Sequence, residues 1–395
     1  MSIEDEINKF CGLRNFGNTC YINAVIQCLN VTPSILKGLT DDIEHERDLE
    51  MFAIIRKYLE ENNDLDNDDT QEDDDQSDIK KDDIKKFHLY LNFKKLIIEF
   101  NKKQGEVLNP FDFIIACKNI ADANPCLEHL FSGMQNDAQE FYTFLLDILH
   151  ESKINDTEIQ TKFNSIEECG NSNSDKIYFE AEKRFKEHYN KKHSWLIDEF
   201  FFQNICITKC SSCSYYSLNY DPSSNLIVPI PKLANSKEKL TLIDSLDHHF
   251  GKEILDGKSQ WKCDECNNVE QNYKQYRLFN SPNTLVISIK RFEYNPMFGN
   301  FVKNNAMIEI PETLNISNYK LFNKDTNNMY KLYAIVNHIG NMNGGHYYAY
   351  CRNNIQTNIK KGCNQWLEYN DNCISQINGD IITPHAYMLF YQLIN

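Results

Sequence analysis

Cys210-Ser-Ser-Cys213 and Cys263-Asp-Glu-Cys266 are two C-x-x-C pairs about fifty residues apart. Four thiolates so spaced can fill a closed tetrahedral metal site, and the chain between them must then fold back on itself to bring the pairs together. A redox-active C-x-x-C is the rival reading, but that motif normally comes singly, at a helix N-terminus. The donor set predicts one structural zinc, stapling two β-hairpins that otherwise bury little. It leaves no open coordination position for catalysis, and nothing in the sequence calls for an organic cofactor.

The remaining cysteines among the fourteen are scattered along 395 residues, and the N-terminus, Met1-Ser2-Ile3-Glu4-Asp5-Glu6, is acidic with no apolar stretch behind it. No run approaches the ~18 apolar residues of a membrane span. A reducing compartment, cytosol or nucleus, is therefore expected, with thiols free or metal-bound rather than paired as disulfides. The net charge is −16, but residues 60–83 alone hold 13 Asp/Glu against 2 Lys. Such a balance opposes nucleic-acid binding, which rests on clustered Lys and Arg. A protein partner with a basic face suits it better.

The acidic tract 60–83 carries too little apolar surface to offset the entropy of ordering it, and is expected to be a disordered insertion. It separates a helical segment, 20–60, from another that resumes near Ile84. Ile166–Lys176 has the Asn/Ser content of a loop. From Asp137, Phe141, Phe144, Leu145, Ile148 and Leu149 follow helical spacing, with Asp137 and Glu140 as a capping box. After about residue 200 the texture turns to short β-rich runs: 200–208, 226–230, 285–289, 330–337, 347–351, 366–369 and 386–392. Helices first and strands later make an α+β fold.

Two stretches near the ends of the chain carry the chemistry. Behind Cys20, residues Ile22, Val25, Ile26 and Leu29 keep helical spacing, and Asn18 or Thr19 can cap. Cys20 should thus lie in a first helical turn, where free N–H groups and the dipole favour a thiolate. A plain core cysteine is the bland alternative, and Cys11 and Cys28 are read that way. His346 follows a glycine pair that lets the backbone pass close to a substrate. Asn370 lies just beyond the strand containing Trp366 and can accept the imidazole Nδ1–H, completing a Cys-His-Asn set of the papain type.

The blocks Gly12-Leu-Arg-Asn15-Phe-Gly-Asn-Thr-Cys20-Tyr-Ile-Asn23, Gln135-Asn-Asp137-Ala-Gln-Glu140-Phe141, Lys290-Arg291-Phe292, Asn337-His338 through Gly345-His346-Tyr347, and Ala386-Tyr-Met-Leu-Phe-Tyr391 resemble the ubiquitin-specific proteases. The match runs in order along nearly the whole chain and includes both cysteine pairs.

That resemblance implies one papain-like catalytic domain over 1–395: a helical thumb at about 8–195 interrupted by the acidic insertion, zinc-bound β fingers at about 196–284, and a palm sheet at about 285–395. Cys20 would be the nucleophile, His346 its base, Asn370 the orienting residue and Asn15 an oxyanion donor. Asp371 is expected to support that donor or partly to replace Asn370. Asp137 and Tyr347 match positions lining the channel for ubiquitin's extended tail, so ubiquitin and ubiquitinated proteins are the implied partners. A protease for another ubiquitin-like modifier, or an idle ubiquitin-binding scaffold, are the alternatives.

Overall fold

The computed structural model describes residues 10–62, 81–170, 172–213, 215–232, 239–295, 299–321, 328–341, 344–352 and 365–394. The chain forms an α+β fold of two compact units, one made of residues 1–153 with 347–377 and the other of 154–346 with 378–395.

In the first unit the helix Cys20–Asn30 is buried at every position from Cys20 to Leu29. A helix that is apolar nearly all round can only sit inside a domain. It packs against the helix Ala138–Glu151 and the strand Trp366–Asn370. Phe141, Phe144, Leu145, Ile148 and Leu149 are all buried, as their spacing predicts. The strand 366–370 pairs antiparallel with 349–352 on one side and, through a tight turn at Asp371 and Asn372, with Cys373–Gln376 on the other. Asp371 holds a positive φ of 51°, a conformation that short polar side chains tolerate.

A second feature of this unit inverts the usual pattern. The helix Asp42–Asn62 exposes Ile43, Leu49, Phe52 and Ile54 and buries Glu44 and Asp48. The buried carboxylates are paired: Lys153 Nζ reaches Glu44 and Asp48 at 2.8 Å each, and Lys94 Nζ reaches Asp48 at 2.6 Å. Lys153 also lies 4.7 Å from the Tyr90 ring centroid. Charges this deep are tolerated only when paired and hydrogen-bonded, so ion pairs hold this helix where apolar packing is thin.

The edges of the acidic tract differ from expectation. The helix 42–62 runs into it, and the next helix, Lys81–Lys102, begins before it ends; residues 63–80 lie outside the described residues. The polar stretch 166–176 is not simply a loop either. Ile166–Cys169 makes a helical turn, and Ser172 opens the helix Asn173–Tyr189 with a reciprocal capping box to Asp175. The Asn/Ser content that suggests a loop here serves as a helix start.

In the second unit, Phe202–Lys209 pairs antiparallel with Tyr216–Ser223 and with Tyr273–Leu278, which in turn pairs with Glu253–Ile254. Ala181 on the helix Asn173–Tyr189 packs against Ile205 and Phe279, with Tyr178 and Phe185 alongside. A second sheet runs Met329–Asn341, Ala386–Leu393, Thr284–Lys290, Leu226–Pro229, the last pair parallel. The run from Thr284 to Ile289 and that from Ala386 to Tyr391 are buried without alternation, as in strands covered on both faces.

Candidate active site

Cys20 is the first residue of its helix, and its side chain is 4% exposed. The Tyr347 N–H donates to Cys20 Sγ at 3.5 Å. Burial pushes the Cys20 thiol above its ordinary pKa and outweighs the backbone N–H groups of Tyr347, Tyr21 and Cys20 that pull it down; the Asp371 charge adds to the rise. The expected helix-start donors are present, then, but they do not make a resting thiolate, because desolvation of a charge in this interior costs more than they return. Thr19 occupies the cap position without capping the helix N–H groups.

The Thr19 hydroxyl serves the loop instead: it donates to Asn15 Oδ1 at 3.1 Å and accepts the Phe16 N–H. Asn15 Oδ1 also accepts the N–H groups of Gly17 at 2.8 Å and Thr19 at 3.3 Å. That acceptor pattern fixes the amide the other way out, and Asn15 Nδ2 donates to Asp371 Oδ2 at 2.8 Å. Asp371 Oδ1 takes Asn23 Nδ2 at 2.7 Å, and the Asp371 carbonyl accepts the Leu13 N–H. Both carboxylate oxygens are therefore committed to amides, and the loop before Cys20 is tied to a turn far along the chain. Gly12 allows the approach, since a Cβ there would lie 2.6 Å from the Asn372 carbonyl oxygen.

Asn23 is the member of this network to which the sequence reading assigns no role. Its signal is its place three residues after Cys20, one helical turn on.

Asp137 caps the helix 138–151 by accepting from Gln139 and Glu140 N–H. The capping box is only half formed, because the Glu140 carboxylate turns to His129 Nε2 at 2.9 Å. Tyr347 is buried, and burial together with the neighbouring Asp137 charge raises its phenol well above the usual value, opposed by the Ala138 N–H. Cys20, Asn15, Asn23, Asp371, Asp137 and Tyr347 thus share one unit. Asn370 belongs to it too, ending the strand 366–370, with its amide 3.4 Å from Glu368 Oε1.

His346 lies in the other unit, half-buried in the strand Gly344–Arg352 and immediately before Tyr347 in the chain. A Cβ on Gly345 would sit 2.2 Å from His338 Nε2 and 2.5 Å from the Ile339 carbonyl oxygen. The glycine before His346 is thus required by its own protein neighbours, a different close approach from the substrate contact that the sequence suggests.

The four zinc candidates also lie in this unit. Cys210 and Cys213 occupy the turn between strands 202–209 and 216–223, while Cys263 and Cys266 lie between 253–254 and 273–278. All four Sγ atoms fall within 4.8 Å of one another, with Cys210–Cys266 at 3.5 Å and Cys213–Cys263 at 3.7 Å. Metal–sulfur bonds of ~2.3 Å in a tetrahedron place sulfurs about 3.8 Å apart, so the donor set fits a tetrahedral metal ion. Asn272 braces the two loops, accepting the Ser211 N–H and donating to the Trp261 and Asn268 carbonyls.

The sequence model of the family described as ubiquitin carboxyl-terminal hydrolase matches residues 11–391. The chain belongs to that family. It is 28% identical over 398 residues to ubiquitin carboxyl-terminal hydrolase Usp2 of Drosophila melanogaster, covering 99% of this chain and 36% of the relative. It is 28% identical over 389 residues to ubiquitin carboxyl-terminal hydrolase 2 of Homo sapiens, covering 97% and 55%. The chain thus spans about a third to about half of the length of these curated relatives. Among solved structures, the SAGA Ubp8/Sgf11/Sus1/Sgf73 DUB module bound to ubiquitin aldehyde shares the fold of this family member, with a TM-score of 0.62 and 23% identity over 100% of this chain and 71% of that one.

Proposed function

We propose that this protein is a thiol deubiquitinase that hydrolyses the bond after the C-terminal glycine of ubiquitin. The observation that carries the reading is the fixed Asn15 amide in the loop that leads into Cys20: its oxygen is spent on that loop and one N–H on Asp371, which leaves the second N–H to donate. A preoriented donor of this kind acts on an oxyanion without reorganising during the reaction.

Cys20 sulfur attacks the glycine carbonyl while His346 takes the thiol proton, since a buried thiol must lose its proton as the bond forms. Asn15 Nδ2 and the Cys20 N–H receive the negative charge on the carbonyl oxygen. His346, oriented by Asn370, then protonates the departing amine, and water activated by His346 releases the thioester. Asp137 and Tyr347 line the path of the extended tail. The four cysteines hold a zinc that joins the two β loops and takes no part in the reaction. The same machinery would serve a ubiquitin-like modifier, and probes made from such modifiers test that alternative.

Cleavage of ubiquitin dimers by the wild type, lost in Cys20→Ala, is the expected result; cleavage that persists in Cys20→Ala refutes the assignment. Metal analysis should find about one zinc per chain, lost in Cys210→Ser, whereas a metal-free folded protein contradicts the zinc reading.

A further inference from the structure

In the second unit a group of cationic and titratable side chains gathers around Arg291 and Lys303. Arg291 is fully buried, and among the described residues its guanidinium donates only to neutral carbonyls: Nε to Ala386 at 2.7 Å, and Nη1 to Asn304 and Ala306 at 3.0 Å each. Lys303 Nζ donates to the His338 carbonyl at 2.5 Å. Lys303 lies within electrostatic reach of Arg291, His338 and His385. Among the described residues, no carboxylate pairs with Arg291 or Lys303. Lys303 is paired with Phe292 across its hairpin, while Glu293, the acid on the partner strand, sits opposite Val302 and so belongs to the other face.

We propose that Lys303 is an acylation site, a nucleophilic amine that takes activated acyl groups from anionic donors such as acyl phosphates and acyl thioesters. Two consequences of the arrangement support this. A half-buried ammonium beside an uncompensated guanidinium is disfavoured, and burial followed by the Arg291 charge brings Lys303 down to about 8. The same unbalanced positive charge draws a donor carrying phosphate.

In the step, the neutral Lys303 nitrogen attacks the acyl carbonyl and a C–N bond forms. The C–O or C–S bond to the carrier breaks, the carrier leaves with the electron pair, and the amine proton passes to solvent or to the leaving phosphate. No oxidant or reductant is needed. The amide that results carries no charge, so acylation removes one positive charge from beside His338, whose imidazole packs on Gly345 next to the candidate base His346.

The test uses the full chain with acetyl phosphate at pH 7.5, and peptide mass spectrometry to follow each lysine. At that pH a lysine titrating near 8 is roughly a quarter neutral against about 0.1% for an ordinary lysine, and reduced intrinsic nucleophilicity gives back part of that advantage. Lys303 is expected to acylate about tenfold faster than the exposed Lys258 and Lys331. Its rate should level off above about pH 8, where the amine becomes mostly neutral. The excess should shrink with added salt, and should be smaller with an uncharged acetylating reagent. Lys303→Arg identifies the peptide by losing the modification. A Lys303 that reacts no faster than Lys258 and Lys331, or whose own rate keeps climbing through pH 10, overturns the proposal.

Discussion

Asn15 Nδ2 and Asp371 Oδ2 lie 2.8 Å apart across 356 positions of sequence. Asp371 thereby acts on the loop before Cys20 through Asn15, and it also holds Asn23 on the helix that Cys20 begins. One carboxylate so couples the loop before Cys20 to the helix that starts there.

Asn15→Ala is expected to lower kcat by ~10² to 10³ with little change in KM, the usual cost of one oxyanion donor. Asp371→Ala should produce a loss of similar kind, because Asn15 then has no fixed orientation. The double variant should be scarcely worse than the weaker single one, since both remove the same positioned donor. Losses that multiply would show Asp371 acting separately from Asn15.

The resting state of Cys20 is open to a pH profile. In His346→Ala, alkylation of Cys20 by iodoacetamide should keep rising above pH 9, because burial and the Asp371 charge both oppose the thiolate. Replacing a nearby negative charge eases formation of another, so Asp371→Asn should move the profile to lower pH. A plateau already reached near neutrality would mean that the helix-start donors outweigh burial after all.

Much of this architecture is legible in the sequence, and the gaps have physical causes. The helix 138–151 shows in its apolar periodicity, and the strand runs near 202, 226, 285, 330, 347, 366 and 386 show in their apolar and aromatic content, because these elements bury apolar surface. Strand Tyr273–Leu278 does not, since it follows no alternation and is mostly half-exposed; Tyr216–Ser223 does alternate, with Leu218 and Tyr220 packed on the Ile205 cluster, a signal that the sequence reading passes over. The helix start at Ser172 hides behind loop-like composition, which its capping box explains. Cys20 is readable from its helical register, but the pairing of Asp371 with Asn15 and Asn23 depends on contacts more than 300 positions apart. The thiol's elevated pKa is likewise a tertiary effect that no local motif encodes.

Gly345→Ala should destabilise the fold by ~1–3 kcal/mol, the common range for forcing atoms into a packed site. The added Cβ meets both His338 Nε2 and the Ile339 carbonyl. Removing the imidazole in Gly345→Ala/His338→Ala should recover only part of the loss, because the backbone oxygen remains. Urea unfolding of the single and double variants reads this directly, and an unaltered midpoint in Gly345→Ala would contradict the close approach.

The most direct measurement exposes the protein to ubiquitin carrying a C-terminal electrophile and locates the adduct by peptide mass spectrometry. The expected result is a single covalent adduct on Cys20, absent in Cys20→Ala and strongly slowed in His346→Ala. No adduct on the folded wild type, or one that forms on another cysteine and survives Cys20→Ala, would contradict the assignment of Cys20 as the nucleophile of a deubiquitinase.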